Sequence, residues 1–266
     1  MTPTASELAK LTEKSIGGLR TQRMEDRRID FLNALVYGDP GTGKTTFIGS
    51  ASLVPALCPV LLLDVEGGDL SLTGFPNVEV VRVTSYKQLQ PIYDELYRMR
   101  HGYRTVAIDN LTELRYFGMT DIMIDAVAKN EKQDPDVPSQ REWGKSSEQI
   151  RRVVRGFRDL PMHTIFTAHK KEEELKNLMV TKPSLPGKLA NEVSGFVDLV
   201  LFYYMKFVNN ESKRLMLTAK TAKEDAKDRS GKLPPVIEDP TMAKIIEFIL
   251  PHLIPTENGK VTENAN

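Results

Sequence analysis

Short apolar runs alternate with segments of helical periodicity from Ile29 to the C-terminal region. The runs are rich in Val, Ile and Leu and contain few polar positions, which is typical of strands buried on both faces of a parallel sheet. They read FLNALVY, PVLLLDV, VEVVRV, TVAID, HTIFTA and VDLVLFYY. This alternation predicts an α/β fold in which a mostly parallel central sheet is flanked by helices.

The intervening segments place apolar residues three and four positions apart, as one face of a helix does. One stripe runs from Ile150 to Leu160. A second helix is expected to start at Pro91, because a proline at the first helical position loses no hydrogen bond. Near the C-terminus, Asp239 and Pro240 predict the N-cap and first residue of a last helix.

The two ends of the chain depart from this pattern. Residues 1–28 mix short polar runs with arginines and predict an arm outside the core, residues 29–253 predict one domain, and residues 254–266 predict a flexible tail. Inside the domain, the polar, proline-containing segments 131–140 and 170–187 predict long loops. Loops of this length in a compact domain are usually functional or disordered.

Composition narrows the classes of function. The 36 basic and 36 acidic residues give no net charge, so any contact with a polyanion must come from a local patch. Cys58 is the single cysteine, which excludes an intramolecular disulfide and a cysteine-built zinc site. No run approaches the ~20 apolar residues of a membrane span, and the polar N-terminus lacks a signal core, so we expect a cytoplasmic protein without membrane contact.

An unbroken GxxxxGKT motif, Gly38 to Thr45, follows the first strand and precedes a segment that can open a helix. Backbone N–H groups can converge on phosphates only where bulky side chains are absent, and the helix start adds its positive end. Lys44 can contact the β- and γ-phosphates, and the Thr45 hydroxyl can bind Mg²⁺. The predicted nucleotide-binding residues here are Gly38, Asp39, Pro40, Gly41, Thr42, Gly43, Lys44, Thr45 and Thr46.

Two later strands end in carboxylates. Asp109 follows an apolar strand and is predicted to bind the nucleotide's Mg²⁺ together with Thr45, although a helix cap is the alternative. Glu66 follows the strand LLLDV, and Gly67-Gly68 leave room for a nucleotide. We expect Glu66 to orient the water that attacks the γ-phosphate, with a surface turn as the alternative.

The order of these motifs resembles that of the RecA-like ATPases: GDPGTGKT, LLLDVEGG, TVAIDN and a strand ending in TIFTAH. Asn110, rather than a glutamate, follows Asp109, and RecA-like proteins take their catalytic glutamate from the strand that here ends at Glu66. The resemblance implies a RecA-like P-loop NTPase core with ATP and Mg²⁺ as cofactors. It also implies a γ-phosphate sensor at His169, where the family usually has glutamine.

Shorter strings resemble the phage-encoded RecA-like single-strand annealing proteins over about residues 30–250: YGDPGTGKT, a late hairpin across Asn209-Asn210 and KEDAKDRSGKLP. That resemblance implies an ATPase that binds single-stranded DNA and promotes annealing or homologous recombination. It further implies a C-terminal hairpin and helix, a ring or filament of identical subunits with ATP between them, and a single-strand-binding protein as a partner.

Such assemblies complete each site with a cation from the neighbouring subunit. Arg229, beside a turn glycine, is the predicted donor among Lys220, Lys223, Lys227 and Arg229, and a solvated charged loop is the alternative. Other functions stay open at this point: a helicase or helicase loader, a small-molecule kinase, or a nucleotide-switched scaffold.

The DNA contacts are expected in two places. Six basic residues against two glutamates lie between Arg141 and Arg158, with Trp143 at the start of the stretch. More lysines follow His169, where glutamates offset them. A solvated helix face is the alternative for the first group. The predicted DNA-binding residues are Arg141, Lys145, Arg151, Arg152, Arg155, Lys170, Lys171 and Lys176.

Overall fold

The structure, a computed structural model, describes residues 15–16, 19–20, 30–175, 177–208 and 210–254. The chain divides into two units between Asp30 and Phe31. In the first unit, strands β1 (Ser15–Ile16) and β2 (Leu19–Arg20) form an antiparallel pair. Most of the predicted N-terminal arm and nearly all of the predicted tail lie outside the described residues.

Strands and helices alternate through most of the second unit. Its strands are β3 (Asn33–Gly38), β4 (Val60–Asp64), β5 (Val78–Arg82), β6 (Thr105–Asp109), β7 (His163–Leu175), β8 (Leu178–Pro183), β9 (Leu199–Val208), β10 (Glu211–Leu217), β11 (Lys227–Asp228) and β12 (Val236–Glu238). Its α-helices are α1 (Lys44–Gly49), α2 (Leu89–Tyr97), α3 (Leu111–Lys129), α4 (Gln140–Arg158), α5 (Leu189–Phe196) and α6 (Met242–Ile249). Within the described part of the chain, no helix is long and apolar enough to cross a membrane.

One central sheet organises the second unit. Its strand order is β12-β10-β9-β3-β7-β6-β4-β5, with β11 paired to β9. The six strands from β9 to β5 are parallel, whereas β10 and β12 are antiparallel to their neighbours. The predicted α/β class, with a mostly parallel sheet and a C-terminal hairpin (β9–β10) and helix (α6), is confirmed.

The sheet is covered on both faces, as its apolar runs predict. Leu35 and Tyr37 are fully buried in a cluster that includes the apolar stripe of α4 and residues of α3 and α5. Ala34 and Val36 alternate with them and are equally buried, on the opposite face. Polar groups at the strand ends are therefore the ones that can meet a ligand.

The segment 170–187 differs from its prediction as a loop. β7 continues to Leu175 and returns as β8, which together form an antiparallel arm beyond the sheet. Oppositely charged side chains support this arm, since Glu173 accepts from Lys182 at 2.8 Å and pairs with Lys171 at 2.9 Å. A polar strand pair held by such contacts lacks the apolar alternation that identifies a buried strand in a sequence.

Two helix starts are also corrected. Helix α2 begins at Leu89 rather than Pro91, because a preceding 3₁₀ turn (Tyr86–Gln88) leads into it. Pro91 still lies in the first turn, where its missing N–H costs little. Helix α6 is capped by Thr241, whose hydroxyl accepts from the Lys244 N–H at 3.3 Å, rather than by Asp239 and Pro240.

Candidate nucleotide site

The site lies at the carboxyl ends of four adjacent parallel strands, β3, β7, β6 and β4. Gly38 at the end of β3 is in register with His169 of β7, and Asp64 at the end of β4 is in register with Asp109 of β6. Ligands of open parallel sheets bind at this edge, because the loops that follow the strands converge there. The predicted phosphate loop, sensor and acidic residues are thus brought together.

The phosphate loop needs its glycines for identifiable reasons. Gly41 and Gly43 have φ angles of 78° and 107°, a region that favours glycine. A Cβ atom on Gly38 would lie 2.1 Å from the carbonyl oxygen of Tyr203 on β9. Helix α1 begins directly after Gly43, so its unpaired N–H groups face the loop's interior, which suits a phosphate group.

Lys44 is buried inside this loop. Its ammonium donates to the carbonyl oxygens of Gly38 at 3.2 Å and Asp39 at 2.9 Å. Burial lowers the pKa of Lys44, although the nearby carboxylates of Asp109, Glu66 and Asp39 act in the opposite direction. The cation is therefore held where the loop would enclose a phosphate.

Asp109 is bound by two hydroxyl groups. Thr45 of α1 donates to its carboxylate at 2.6 Å, and Thr167 of β7 donates to the other oxygen. Burial raises the pKa of Asp109, while the hydrogen bonds from Thr167 and Thr45 and the charge of Lys44 oppose this effect. Sequence reasoning did not identify Thr167, whose contact depends on β7 lying between β3 and β6.

The Thr45–Asp109 pair fits a magnesium ion. Mg²⁺ prefers oxygen ligands and commonly takes one or two from protein, with phosphates and water completing its shell. The described residues contain no cluster of three or more histidine, cysteine, aspartate or glutamate side chains that could hold a metal ion. A hydroxyl–carboxylate pair next to a phosphate loop matches a metal that arrives with its nucleotide.

Glu66 meets Asn110 and His169 beside the loop. Asn110 donates to one carboxylate oxygen of Glu66, and the Nε2 atom of His169 lies 3.4 Å from the other. The side chain of Glu66 is 37% exposed, so a water molecule can reach it. Thr112 accepts from the backbone N–H of His169 at 3.1 Å and thereby fixes the end of the in-sheet part of β7.

Asp64 shapes the turn that carries Glu66. Its carboxylate accepts from the backbone N–H groups of Gly67 at 2.8 Å and Gly68 at 3.3 Å, and it pairs with Arg82 at 2.7 Å. Gly67 has a φ angle of 90°, a region that favours glycine. Asp64 therefore fixes the backbone of the turn that follows Glu66.

Arg214 of β10 is a second residue that sequence reasoning did not identify. It lines the same cleft of about 450 Å³ as the phosphate loop, Glu66 and Gly68. No sequence motif marks this arginine. Its place in the cleft follows from the antiparallel pairing of β10 with β9, which runs directly beside β3.

Arg229 lies at the other end of the sheet. It follows β11, which pairs with Leu199 and Val200 at the start of β9, and Leu199 is in register with Ala34 near the start of β3. Its guanidinium pairs with Asp198 at 3.0 Å and donates to the carbonyl of Gly195 at 2.9 Å. Arg229 is therefore separated from its own chain's phosphate loop, and a role in a neighbour's site stays a prediction.

Several of the predicted DNA-binding residues have acidic partners. Arg151 pairs with Glu192 at 2.5 Å, and Arg152 pairs with Glu148 at 3.3 Å. Arg155 stacks over the ring of Phe196 at 4.3 Å. Other pairs join Lys145 to Glu142, Lys170 to Asp39 and Glu172, and Lys171 to Glu173. Arg141 is exposed, and Lys176 lies outside the described residues.

Comparisons with known proteins find a matching family model and similar solved structures. The AAA domain family matches residues 30–230. A KaiC-like protein from the hyperthermophilic archaeon Pyrococcus horikoshii is similar in structure, with a TM-score of 0.47 and 16% identity over 81% of this chain and 93% of that one. A search of curated protein sequences finds no match. The chain belongs to the AAA domain family, whose model covers the phosphate loop and most of the central sheet.

Proposed function

We propose that the protein hydrolyses ATP with Mg²⁺ in the cleft formed by residues 38–45, Glu66 and Asp109. One observation carries this proposal: a glycine cradle, a hydroxyl–carboxylate pair and a partly exposed carboxylate meet at one edge of the sheet. These groups bind phosphate, bind a divalent metal and orient water, respectively, which are the requirements of phosphoryl transfer to water.

Each residue has a separate task in this reaction. The backbone N–H groups of the loop and the Lys44 ammonium bind the β- and γ-phosphates, and Thr45 and Asp109 hold the metal that offsets phosphate charge. Glu66 accepts a hydrogen bond from the attacking water and directs it in line with the bond that breaks. His169 and Asn110 hold the Glu66 carboxylate beside the loop.

The test is ATP binding by calorimetry and phosphate release, with Mg²⁺ present, for the wild type and two variants. Lys44→Ala removes the loop's cation, so we expect hydrolysis to fall more than about 100-fold. Lys87→Ala is the matched control, since Lys87 is exposed and paired with Asp125. Unchanged turnover in Lys44→Ala would contradict the assignment of the site.

We propose that single-stranded DNA is the partner of this ATPase, with strand annealing or homologous recombination as the outcome. The support is an aromatic patch of Arg115, Tyr116 and Trp143. Tyr116 and Trp143 are 51% and 41% exposed, and the Arg115 guanidinium lies 4.6 Å and 5.4 Å from their ring centroids. Exposed aromatic side chains with a neighbouring cation are what unpaired bases stack on.

Fluorescence anisotropy of a labelled single-stranded oligonucleotide tests this partner. Stacking contributes about 1–3 kcal/mol per base, so Trp143→Ala should weaken binding by roughly 5- to 100-fold. Tyr97→Ala is the control, because Tyr97 is 67% exposed on a different helix. Equal binding by the wild type and Trp143→Ala would exclude the aromatic patch as the DNA-binding surface. Absence of binding by the wild type would exclude single-stranded DNA as the partner.

We also propose a homo-oligomer in which Arg229 reaches the neighbour's nucleotide. RecA-like ATPases, which the sequence resembles, bind ATP between subunits. Sedimentation with and without MgATP measures the assembly. A monomer under both conditions would contradict the proposal that Arg229 acts in the site of a neighbouring subunit.

A further inference from the structure

Arg214 projects from β10 into the cleft of the phosphate loop. Its backbone is fixed on both sides, since it pairs in register with Met205 of β9 and its carbonyl accepts from the Asp239 N–H at 2.8 Å. Lys213, the preceding residue, points to the other face of the strand and pairs with Glu238 at 3.4 Å. The pleat of β10 therefore directs the arginine, rather than the lysine, to the cleft.

The arginine side chain lies against the start of helix α1. A Cβ atom built on Gly43 would be 3.4 Å from Nε of Arg214 and 3.3 Å from the hydroxyl of Tyr203. No carboxylate among the described residues forms an ion pair with Arg214, although its side chain is exposed on the cleft. The guanidinium therefore faces the cleft beside the phosphate loop, and its positive charge is available to a bound anion.

We propose that Arg214 binds the α- and β-phosphates of the nucleotide, so that the chain supplies a second phosphate-binding cation of its own. This inference rests on the proposed function. Three groups are expected around the γ-phosphate: Lys44, Glu66 and His169. They lie at the Gly38 end of the loop, whereas Arg214 lies at the Gly43 end. A guanidinium presents paired N–H donors that match phosphate oxygens.

Calorimetric titrations with ADP, ATP and inorganic tripolyphosphate, each with Mg²⁺, test this contact in the full chain. Arg214→Ala should weaken all three ligands by about 10- to 100-fold, as expected for a charged hydrogen bond. Arg214→Lys should recover part of the affinity, because it keeps the charge and loses the paired donors. Lys213→Ala, the matched control, should bind within about twofold of the wild type.

Each of the other outcomes would contradict one part of this proposal. A loss confined to ATP would place Arg214 on the γ-phosphate, and a loss for both nucleotides without a loss for tripolyphosphate would place it on the ribose or base. Wild-type affinity in Arg214→Ala, alongside weakened binding in Lys44→Ala, would refute the role of Arg214 and leave the proposed function intact. Absence of nucleotide binding by the wild type would refute both.

Discussion

The central sheet has an amino edge, where its parallel strands begin, and a carboxyl edge, where they end. Polar residues have different partners at these two edges. At the amino edge, Lys227 donates to the carbonyls of Ser194 and Val197 at the end of helix α5, and Arg229 pairs with Asp198. At the carboxyl edge, Lys44 contacts only loop carbonyls among the described residues, and Arg214 faces an open cleft. Helix-end carbonyls and a carboxylate thus hold the cations of the amino edge, whereas Arg214 forms no ion pair among the described residues and lines the cleft.

We propose that the cations at the amino edge are structural and that those at the carboxyl edge bind nucleotide. A partly buried ammonium that completes the end of a helix, as Lys227 does, stabilises the fold, because the carbonyls there lack intrahelical partners. An ammonium inside a phosphate loop pays a desolvation cost that a bound anion would offset. Substitutions at the amino edge should therefore change stability, and substitutions at the carboxyl edge should change nucleotide chemistry.

The largest effect is expected for Glu66→Gln. The amide cannot accept the proton of the attacking water, so hydrolysis should fall by about 10²- to 10⁴-fold while ATP binding stays unchanged. Phosphate release and calorimetry measure the two quantities. Asp69→Asn removes an exposed carboxylate from the following 3₁₀ turn and should leave both unchanged. Equal turnover in Glu66→Gln and the wild type would exclude Glu66 as the water-orienting group.

Lys227→Met tests the amino edge. Removing its ammonium leaves two helix-end carbonyls without a donor, which should lower the free energy of unfolding by about 2–3 kcal/mol. Lys220→Met, at an exposed ion pair with Asp225, should change it by less than about 1 kcal/mol. Urea unfolding gives these values. A Lys227→Met variant that is as stable as the wild type but binds ATP poorly would contradict the structural role of Lys227.

A pH-dependent effect on stability is expected from His163 at the amino edge. Its Nδ1 atom accepts from the Leu32 N–H at 3.1 Å, and burial, with Arg104 nearby, lowers the pKa of His163 to about 4 from 6.5. The unfolded chain therefore binds a proton between pH 6.5 and 4 that the folded chain does not. The free energy of unfolding should fall by about 1.4 kcal/mol per pH unit as the pH decreases through this range.

His163→Gln keeps an acceptor for the Leu32 N–H and removes the titrating ring. The difference in unfolding free energy between the wild type and this variant isolates the histidine, because the carboxylates titrate in both proteins. That difference should decrease with falling pH between 6.5 and 4 and level off below 4. A difference that is independent of pH would contradict the depressed pKa.

The parts of the site that could be predicted are those encoded locally. The fixed spacing of Gly38, Gly41, Gly43 and Lys44 marks the loop, and an apolar strand ending in Asp109 marks the carboxylate beside it. The β7–β8 arm could not be predicted, because it is stabilised by charge pairs within β7 and between β7 and β8, which have no apolar period. The prediction of a mostly parallel sheet followed from apolar runs that pack on both faces.

What the sequence determined by itself is the phosphate loop and the apolar strands and helices of the core, since backbone preference and side-chain period act within a few neighbouring residues. Only the tertiary structure decided which distant residues face the loop. Thr167 reaches Asp109 because β7 lies between β3 and β6, and Arg214 reaches the cleft because β10 pairs with β9 in one register. Strand order and register arise from packing between remote segments, and a one-residue shift would have turned Lys213 to the cleft instead.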